Sequence, residues 1–279
     1  MTITSYLKKA LFLTLIITSS ISSKIIMWDL GNVLFGFSKM RMVFHLGVFR
    51  CLGHSSAEMR TIISDVLNKA RENEPRNCTV PDDKGSHLSN ILCDYQAGIH
   101  PSSKLLQEAL DAINLLDSQG YFVSNRQKRF TEKVIRSLFD VQLTARFMRP
   151  IKQGVKLLQE CSEKVDAQGN KCHEMVILSN WDAESFPPFK EKNQKIFQHI
   201  KPENLIISAS FGHLDGLKPS PWLFNHMVDL KQVPASEFIF IDDQPCNIAA
   251  ARACGMNAIL VEDGNYKKVR AELQRLGAL

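Results

Sequence analysis

The sequence lacks any C-x-x-C pair. Its seven cysteines, Cys51, Cys78, Cys93, Cys161, Cys172, Cys246 and Cys254, are scattered and odd in number. Neither a zinc site nor a disulfide framework follows from such spacing, and buried free thiols in a reducing compartment are the expectation. No uncharged run reaches the about 20 residues that a membrane-spanning helix needs. Internal repeats and low-complexity tracts are missing too. Charge is in short supply: a net +5 over 279 residues is too diffuse to argue for nucleic acid, and no basic motif interleaved with aromatics is present. It does suit a small anionic substrate. With 44% hydrophobic and 23% charged residues, the chain reads as a globular protein long enough for a sizeable core.

The N-terminus argues against the reducing compartment. Lys8 and Lys9 precede the uncharged run Ala10 to Thr18, and the small residues Ser19, Ser20, Ser22 and Ser23 follow. A basic region, a short apolar stretch and small residues form the pattern of a secretory signal peptide, here residues 1–23. Export, to the periplasm or outside the cell, is expected if the segment is such a signal, and a cytoplasmic protein otherwise. Cleavage near Ser20 to Ser23 leaves the next segment whole.

That segment, Lys24 to Trp28, is a short apolar strand running into Asp29 and the loop Leu30-Gly31-Asn32. Taken alone, Asp29 is either a turn cap or an acid at the strand edge where open α/β sheets place their chemistry. The next hundred residues lack βα alternation and read as a helical insert. Ser55 offers an N-cap with Glu58 in the first turn, leading to Met59, Ile62, Ile63, Val66 and Leu67 on one face. Residues 73–86, with Pro75, Pro81 and Gly85, form a loop. Helices are expected over His87 to Tyr95, Lys104 to Leu116 and Thr131 to Leu138.

Beyond Pro150 the pattern becomes βα alternation. Strands are expected at Glu174 to Leu178, Leu205 to Ser208, Glu237 to Ile241 and Asn257 to Val261. Helices are expected at Gly154 to Glu163, Pro221 to Leu230, Asn247 to Cys254 and Tyr266 to Leu276. Such alternation implies a parallel sheet. Several strands end in polar residues: Ser179-Asn180 after one and Asp242-Asp243 after another, with Gly216-x-Lys218-Pro219 between them.

Asp29 in DLGNVL, Ser179-Asn180, Lys218-Pro219 and Asp242-Asp243 with Asn247, in that order, resemble the four motifs of the haloacid dehalogenase-like (HAD) hydrolases. The resemblance is to the subgroup of small sugar-phosphate phosphatases and the phosphatase domain of soluble epoxide hydrolases. It implies a Rossmann-like α/β core over residues 24–38 and 147–279, with a helical cap at 39–146. It further implies Mg²⁺-dependent hydrolysis of a small phosphorylated metabolite through an aspartyl-phosphate. Asp29 is then nucleophile and metal ligand, and Gly31 lends its backbone carbonyl to the metal. Asp243 is a metal ligand, and Asp242 is a ligand or lies just behind one. Ser179 and the backbone amide of Asn180 bind the phosphoryl group, and Lys218 neutralises charge. Asn247 either joins them or merely caps its helix. The chemistry agrees: a carboxylate can form the phosphoenzyme, and three clustered carboxylates call for a hard cation.

One member is missing from the motif. Gly31 stands where most phosphatases of the family carry the acid that protonates the leaving alcohol, a function typically contributing about 10²- to 10⁴-fold. Asp182, His213 or a cap residue are the candidates to replace it. Arg126, Lys128 and Arg129 form a basic cluster that is either a solvated helix face or an attractor for the ester. Trp181 and Trp222 are read as packing residues. Two other readings stay open. One is a non-catalytic or weakly active HAD-like binding protein, and the other is a haloacid dehalogenase.

Overall fold

The computed structural model describes residues 23–47, 55–74, 80 and 87–279, so the expected signal segment lies almost wholly outside the described residues. Five parallel strands form the central sheet: β1 (Lys24–Trp28), β4 (His173–Ser179), β5 (Leu205–Ile207), β6 (Phe238–Asp242) and β7 (Asn257–Leu260). Their order is β5-β4-β1-β6-β7. From the central β1 the chain builds outward on one side through β4 and β5, then returns to the other through β6 and β7. The reversal puts a crevice at the carboxyl ends of β1, β4 and β6, where open sheets bind ligands.

Why these segments are strands is visible in their alternation. Ile26, Trp28, Met175, Ile177, Ile239 and Ile241 face one side, and Ile25, Met27, Val176, Leu178, Phe238 and Phe240 the other. A sheet buried on both faces reads as continuous apolar runs. The first face is covered by α7 (Lys152–Glu163), through Leu157 and Leu158, and by α12 (Tyr266–Arg275), through Val269 and Leu273. The second is covered by α10 (Pro221–Lys231), through Leu223, Phe224 and Met227, and by α11 (Pro245–Ala253), through Ile248 and Ala251.

A two-stranded antiparallel ribbon joins this core to the helical segment. β2 (Phe35–Phe37) pairs with β3 (Met148–Pro150), Phe37 opposite Met148. Between them lie α1 (Lys39–Leu46), α2 (Ser56–Lys69), α3 (Asn90–Ala97), α4 (Ser102–Ser118), α5 (Asn125–Leu138) and α6 (Val141–Phe147). Two short helices, α8 (Phe186–Lys192) and α9 (Gln194–Phe197), follow β4. Helices α2 to α5 share a separate core of Val66, Ile91, Leu105, Ala109, Ile113 and Ile135. Ser55 caps α2 by accepting the Glu58 N–H at 3.0 Å, as its position suggests.

Several elements differ from expectation. The helix expected from His87 begins at Asn90, because Ser89 takes the extended conformation of an N-cap residue. The one expected from Thr131 begins at Asn125, with Ser124 accepting the Gln127 N–H. β5 stops at Ile207, and Ser208 turns into a single 3-10 turn. The expectation of uniformly free thiols is corrected: Cys161, Cys172, Cys246 and Cys254 are free, but Cys93 is disulfide-bonded.

A pH response is built into the start of the sheet. The buried His173 ring accepts the Lys24 backbone N–H through Nδ1 at 3.2 Å. Burial, with Lys164 and Lys24 nearby, pushes its pKa from 6.5 down to about 4. Between these values the unfolded chain binds the extra proton, so stability is complete above the upper value and is lost as pH falls through the interval. The loss is on the order of 2 kcal/mol. Urea midpoints at pH 7 and 4.5 should therefore differ more for wild type than for His173→Gln.

Candidate active site

The three strand ends nearest the crevice deliver the side chains. Asp29 follows β1, and its backbone N–H donates to the Ile241 carbonyl at 3.0 Å, so the residue leaves the sheet still held by β6. Ser179 closes β4 and Asp242 closes β6, both buried. Lys218 comes from the loop before α10 and is 2% exposed. Its Nζ donates to Asp29 Oδ1 and to Asp242 Oδ2, at 2.6 Å each.

This lysine bridge is the electrostatic centre. Burial alone would lower the lysine pKa, but Asp242 and Asp29 outweigh it and hold Lys218 up at about 12. Burial raises Asp29, Lys218 opposes it, and Asp242 and Asp243 add repulsion; the carboxyl ends up at about 6. Asp243 is also raised, chiefly by burial, with Asn32 opposing and Asp242 adding to the shift. Three carboxylates thus share one buried ammonium.

Asp242 has spent its acceptors. Besides Lys218, it takes the Asn247 Nδ2–H₂ at 3.0 and 3.1 Å and the Gln244 backbone N–H at 2.8 Å. Asn247 therefore holds Asp242 in addition to starting α11. Asp243 accepts from Asn32 Nδ2 through Oδ2 at 2.9 Å. Asn32 itself sits at φ +53°, a left-handed conformation that asparagine tolerates better than most residues. Behind it, Tyr266 Oη donates to the Val33 carbonyl at 2.5 Å. A Cβ on Gly154 would lie 2.2 Å from that carbonyl, so only glycine admits the loop here.

The Asn180 side chain is bound to the backbone of Lys218. Its Oδ1 accepts the Lys218 N–H at 2.8 Å and its Nδ2 donates to the Lys218 carbonyl at 2.9 Å. The side chain is committed to the backbone of the lysine, tying the end of β4 to the loop that carries the ammonium.

Whether a cation suits the site can be judged from its oxygens. Among the described residues no three His, Cys, Asp or Glu side chains form a metal-holding group. However, Asp29 and Asp243 each engage their hydrogen-bond donors through one carboxylate oxygen. The Gly31 carbonyl accepts no hydrogen bond among the described residues either. Two carboxylates and a carbonyl, in a pocket with surplus negative charge, match Mg²⁺, which retains waters and takes substrate oxygens. The residues fit the ion.

Above these groups lies a cleft of about 950 Å³, lined on the core side by Asp29, Gly31, Ser179, Asn180, Lys218, Asp242, Asp243 and Asn247. Its opposite wall comes from α2, α3 and the approach to α3, with Arg60, Ser64, Asp65, Asn68, His87 and Gln96. The predicted basic cluster is elsewhere: Arg126, Lys128 and Arg129 do not line the cleft, and Lys128 pairs with Asp117 at 2.8 Å. Among the described residues Arg60 brings a guanidinium to that wall, and nothing in the charge pattern marked it out. Asp182 and His213 are also absent from the lining. Asp182 is buried, accepting the Glu184 and Ser185 N–H groups, and His213 packs edge-on to Trp222 at 4.6 Å between centroids. Trp181 stacks on Phe189 at 4.5 Å as a packing residue. Trp222 stacks on His226 and stays 39% exposed.

The sequence model of the haloacid dehalogenase-like hydrolases matches residues 104–261, more than half of the chain. The chain belongs to the haloacid dehalogenase-like hydrolases. That match takes in Ser179, Lys218 and Asp242, while Asp29 enters through the sheet. Among solved structures, a HAD family enzyme from Bacteroides thetaiotaomicron is similar at a TM-score of 0.51 and 16% identity, over 88% of this chain and 96% of that one. A predicted HAD-like family hydrolase from Porphyromonas gingivalis is similar at 0.51 and 15%, over 91% and 98%. An L-2-haloacid dehalogenase from Xanthobacter autotrophicus, solved with chloropropionic acid covalently bound, is similar at 0.45 and 12%, over 91% and 83%. No curated protein matches the sequence. No helix among the described residues is long and apolar enough to cross a membrane.

Proposed function

We propose that this HAD-like hydrolase is a Mg²⁺-dependent phosphatase of small phosphate esters, with Asp29 as nucleophile. The observation that carries the reading is the lysine bridge: Lys218 joins Asp29 to Asp242 in a buried pocket where Asp243 adds a third carboxylate. Asp29, Asp243 and the Gly31 carbonyl would hold the ion, which supplies charge neutralisation for nucleophile and phosphoryl oxygens. A carboxylate oxygen of Asp29 attacks phosphorus and the P–O bond to the alcohol breaks, leaving an aspartyl-phosphate and the alcohol. Water then attacks that phosphorus, releasing phosphate and restoring Asp29. Lys218 and Ser179 are the residues assigned to the phosphoryl oxygens. Asn180 holds Lys218 in place, and Asn247 and Gln244 hold Asp242.

Residues 39–146 are read as a cap over a core of 24–38 and 147–279. Export is also part of this reading: the basic, apolar and small-residue order of the N-terminus supports it, and so does the disulfide at Cys93, since such bonds persist mainly in oxidising compartments. A dehalogenase is the weaker alternative, because that chemistry dispenses with a metal ion, whereas Asp29 and Asp243 each keep a carboxylate oxygen free for one.

The test is release of inorganic phosphate from a panel of sugar phosphates and p-nitrophenyl phosphate by protein starting at Lys24. Turnover is expected with Mg²⁺ and should fall at least ~10²-fold in EDTA. A chain that binds these esters without turning them over would instead be a HAD-like binding protein. Chloride release from a 2-haloacid in EDTA would identify a dehalogenase.

A further inference from the structure

A Cβ on Gly31 would make only an ordinary 3.6 Å contact with Asp29 Oδ2. There is room for a side chain, so the glycine is not forced by crowding. In a phosphatase reading, the departing alkoxide still needs a proton from somewhere in the cleft.

Among the described residues, and outside the Asp29, Lys218, Asp242 and Asp243 group, the titratable side chains lining the cleft are Arg60, Asp65, His87 and Cys246. Arginine does not give up its proton in proteins. Asp65 serves as acceptor for the Tyr121 hydroxyl, and burial together with that carboxylate pushes the tyrosine up to about 12. Neither member of that pair is set up to donate. The Cys246 thiol lies 3.8 Å from Asn247 Oδ1 on the core side, and burial raises its pKa, which makes it a reluctant donor.

His87 is different. It is exposed on the wall opposite Asp29, three residues before α3 begins. No hydrogen bond or ion pair to another described residue occupies its ring. An imidazole is also the side chain that most readily carries a transferable proton at neutral pH. The geometry points to His87 as the general acid that protonates the leaving alcohol, a catalytic residue supplied by the helical wall in place of an acid at position 31. This assignment rests on the phosphatase reading. In the step, the ester P–O bond breaks as the bond from Asp29 to phosphorus forms. The imidazolium N–H proton passes to the departing oxygen, leaving neutral His87 to take up a proton from water before the next turnover.

Leaving groups of one shape but different basicity test this role. p-Nitrophenolate departs without a proton, whereas the more basic phenolate of phenyl phosphate needs one. His87→Gln and His87→Asn are expected to keep p-nitrophenyl phosphate turnover within about threefold of wild type, and to lose ~10²-fold or more on phenyl phosphate. Both variants should keep the wild-type melting temperature. Equal losses on the two esters, or no loss on phenyl phosphate, overturn the assignment while the phosphatase reading stands. A wild-type chain that hydrolyses neither these aryl esters nor any sugar phosphate in Mg²⁺ overturns the reading, and the role of His87 with it.

Discussion

Asp29→Asn should abolish phosphate release, by roughly 10⁴-fold or more, because removal of a nucleophile leaves only the positioning and charge of the remaining site. The substitution is nearly isosteric and keeps an oxygen that can accept from Lys218, so the fold should survive. Loss of one of three mutually repelling carboxylates also relieves the pocket. The expected combination is a dead enzyme with a melting temperature at or above that of wild type. Phosphate esters should still bind, measured by calorimetry in Mg²⁺. Equal turnover by wild type and Asp29→Asn would remove Asp29 from the chemistry altogether.

Lys218→Met has the opposite balance of effects. In the wild type the ammonium lies 2.6 Å from both Asp29 and Asp242, with all three groups out of water. Removing one partner of a buried ion cluster leaves the others uncompensated, at a cost of about 3–5 kcal/mol. Turnover should also fall by ~10²-fold or more, as charge on the nucleophile and phosphoryl group goes unneutralised. The two effects can be separated. Adding Asp242→Asn to Lys218→Met removes a second charge and should restore much of the stability, read as the urea midpoint in EDTA, without restoring activity. Lys218→Arg should not substitute, because the planar guanidinium does not fit a site shaped around a compact ammonium held by two carboxylates.

Most of the sheet could be read in the chain because its information is local. β1, β4 and β6 are apolar runs buried on both faces and ending in a polar residue, and that boundary marks both the strand end and the site. Asp29, Ser179 and Asp242 converge because parallel strands point their carboxyl ends the same way, and Lys218 joins them from the loop before α10. The ribbon of β2 and β3 was invisible for the opposite reason. Each strand has three residues, one partner is Pro150, and the pairing spans more than a hundred positions. The clamp by Asn180 on the Lys218 backbone joins residues 38 apart in sequence, and an Asn after a strand carries no mark of it. Of the two readings of the basic cluster, the structure favours the helix face away from the cleft, a choice that charge spacing alone cannot make. On α5, Phe130, Val134 and Ile135 are buried while Lys128 turns to Asp117. Cys93 failed similarly: scattered spacing is silent about a bond formed across space.

The β2–β3 ribbon has a further consequence. Phe37 and Met148 sit opposite each other, so the chain departs from the sheet and comes back at neighbouring points. Everything from Ser38 to Phe147 is topologically a hairpin loop, however much structure it contains. Loop-closure cost grows by only about 0.6 kcal/mol per doubling of length, so the sheet is almost indifferent to what the ribbon carries. Inserts of other sizes could be grafted at this joint at little closure cost, provided they rebuild the packing of Cys93 and Ala97 on Leu217 and the acceptor for the Ser208 hydroxyl.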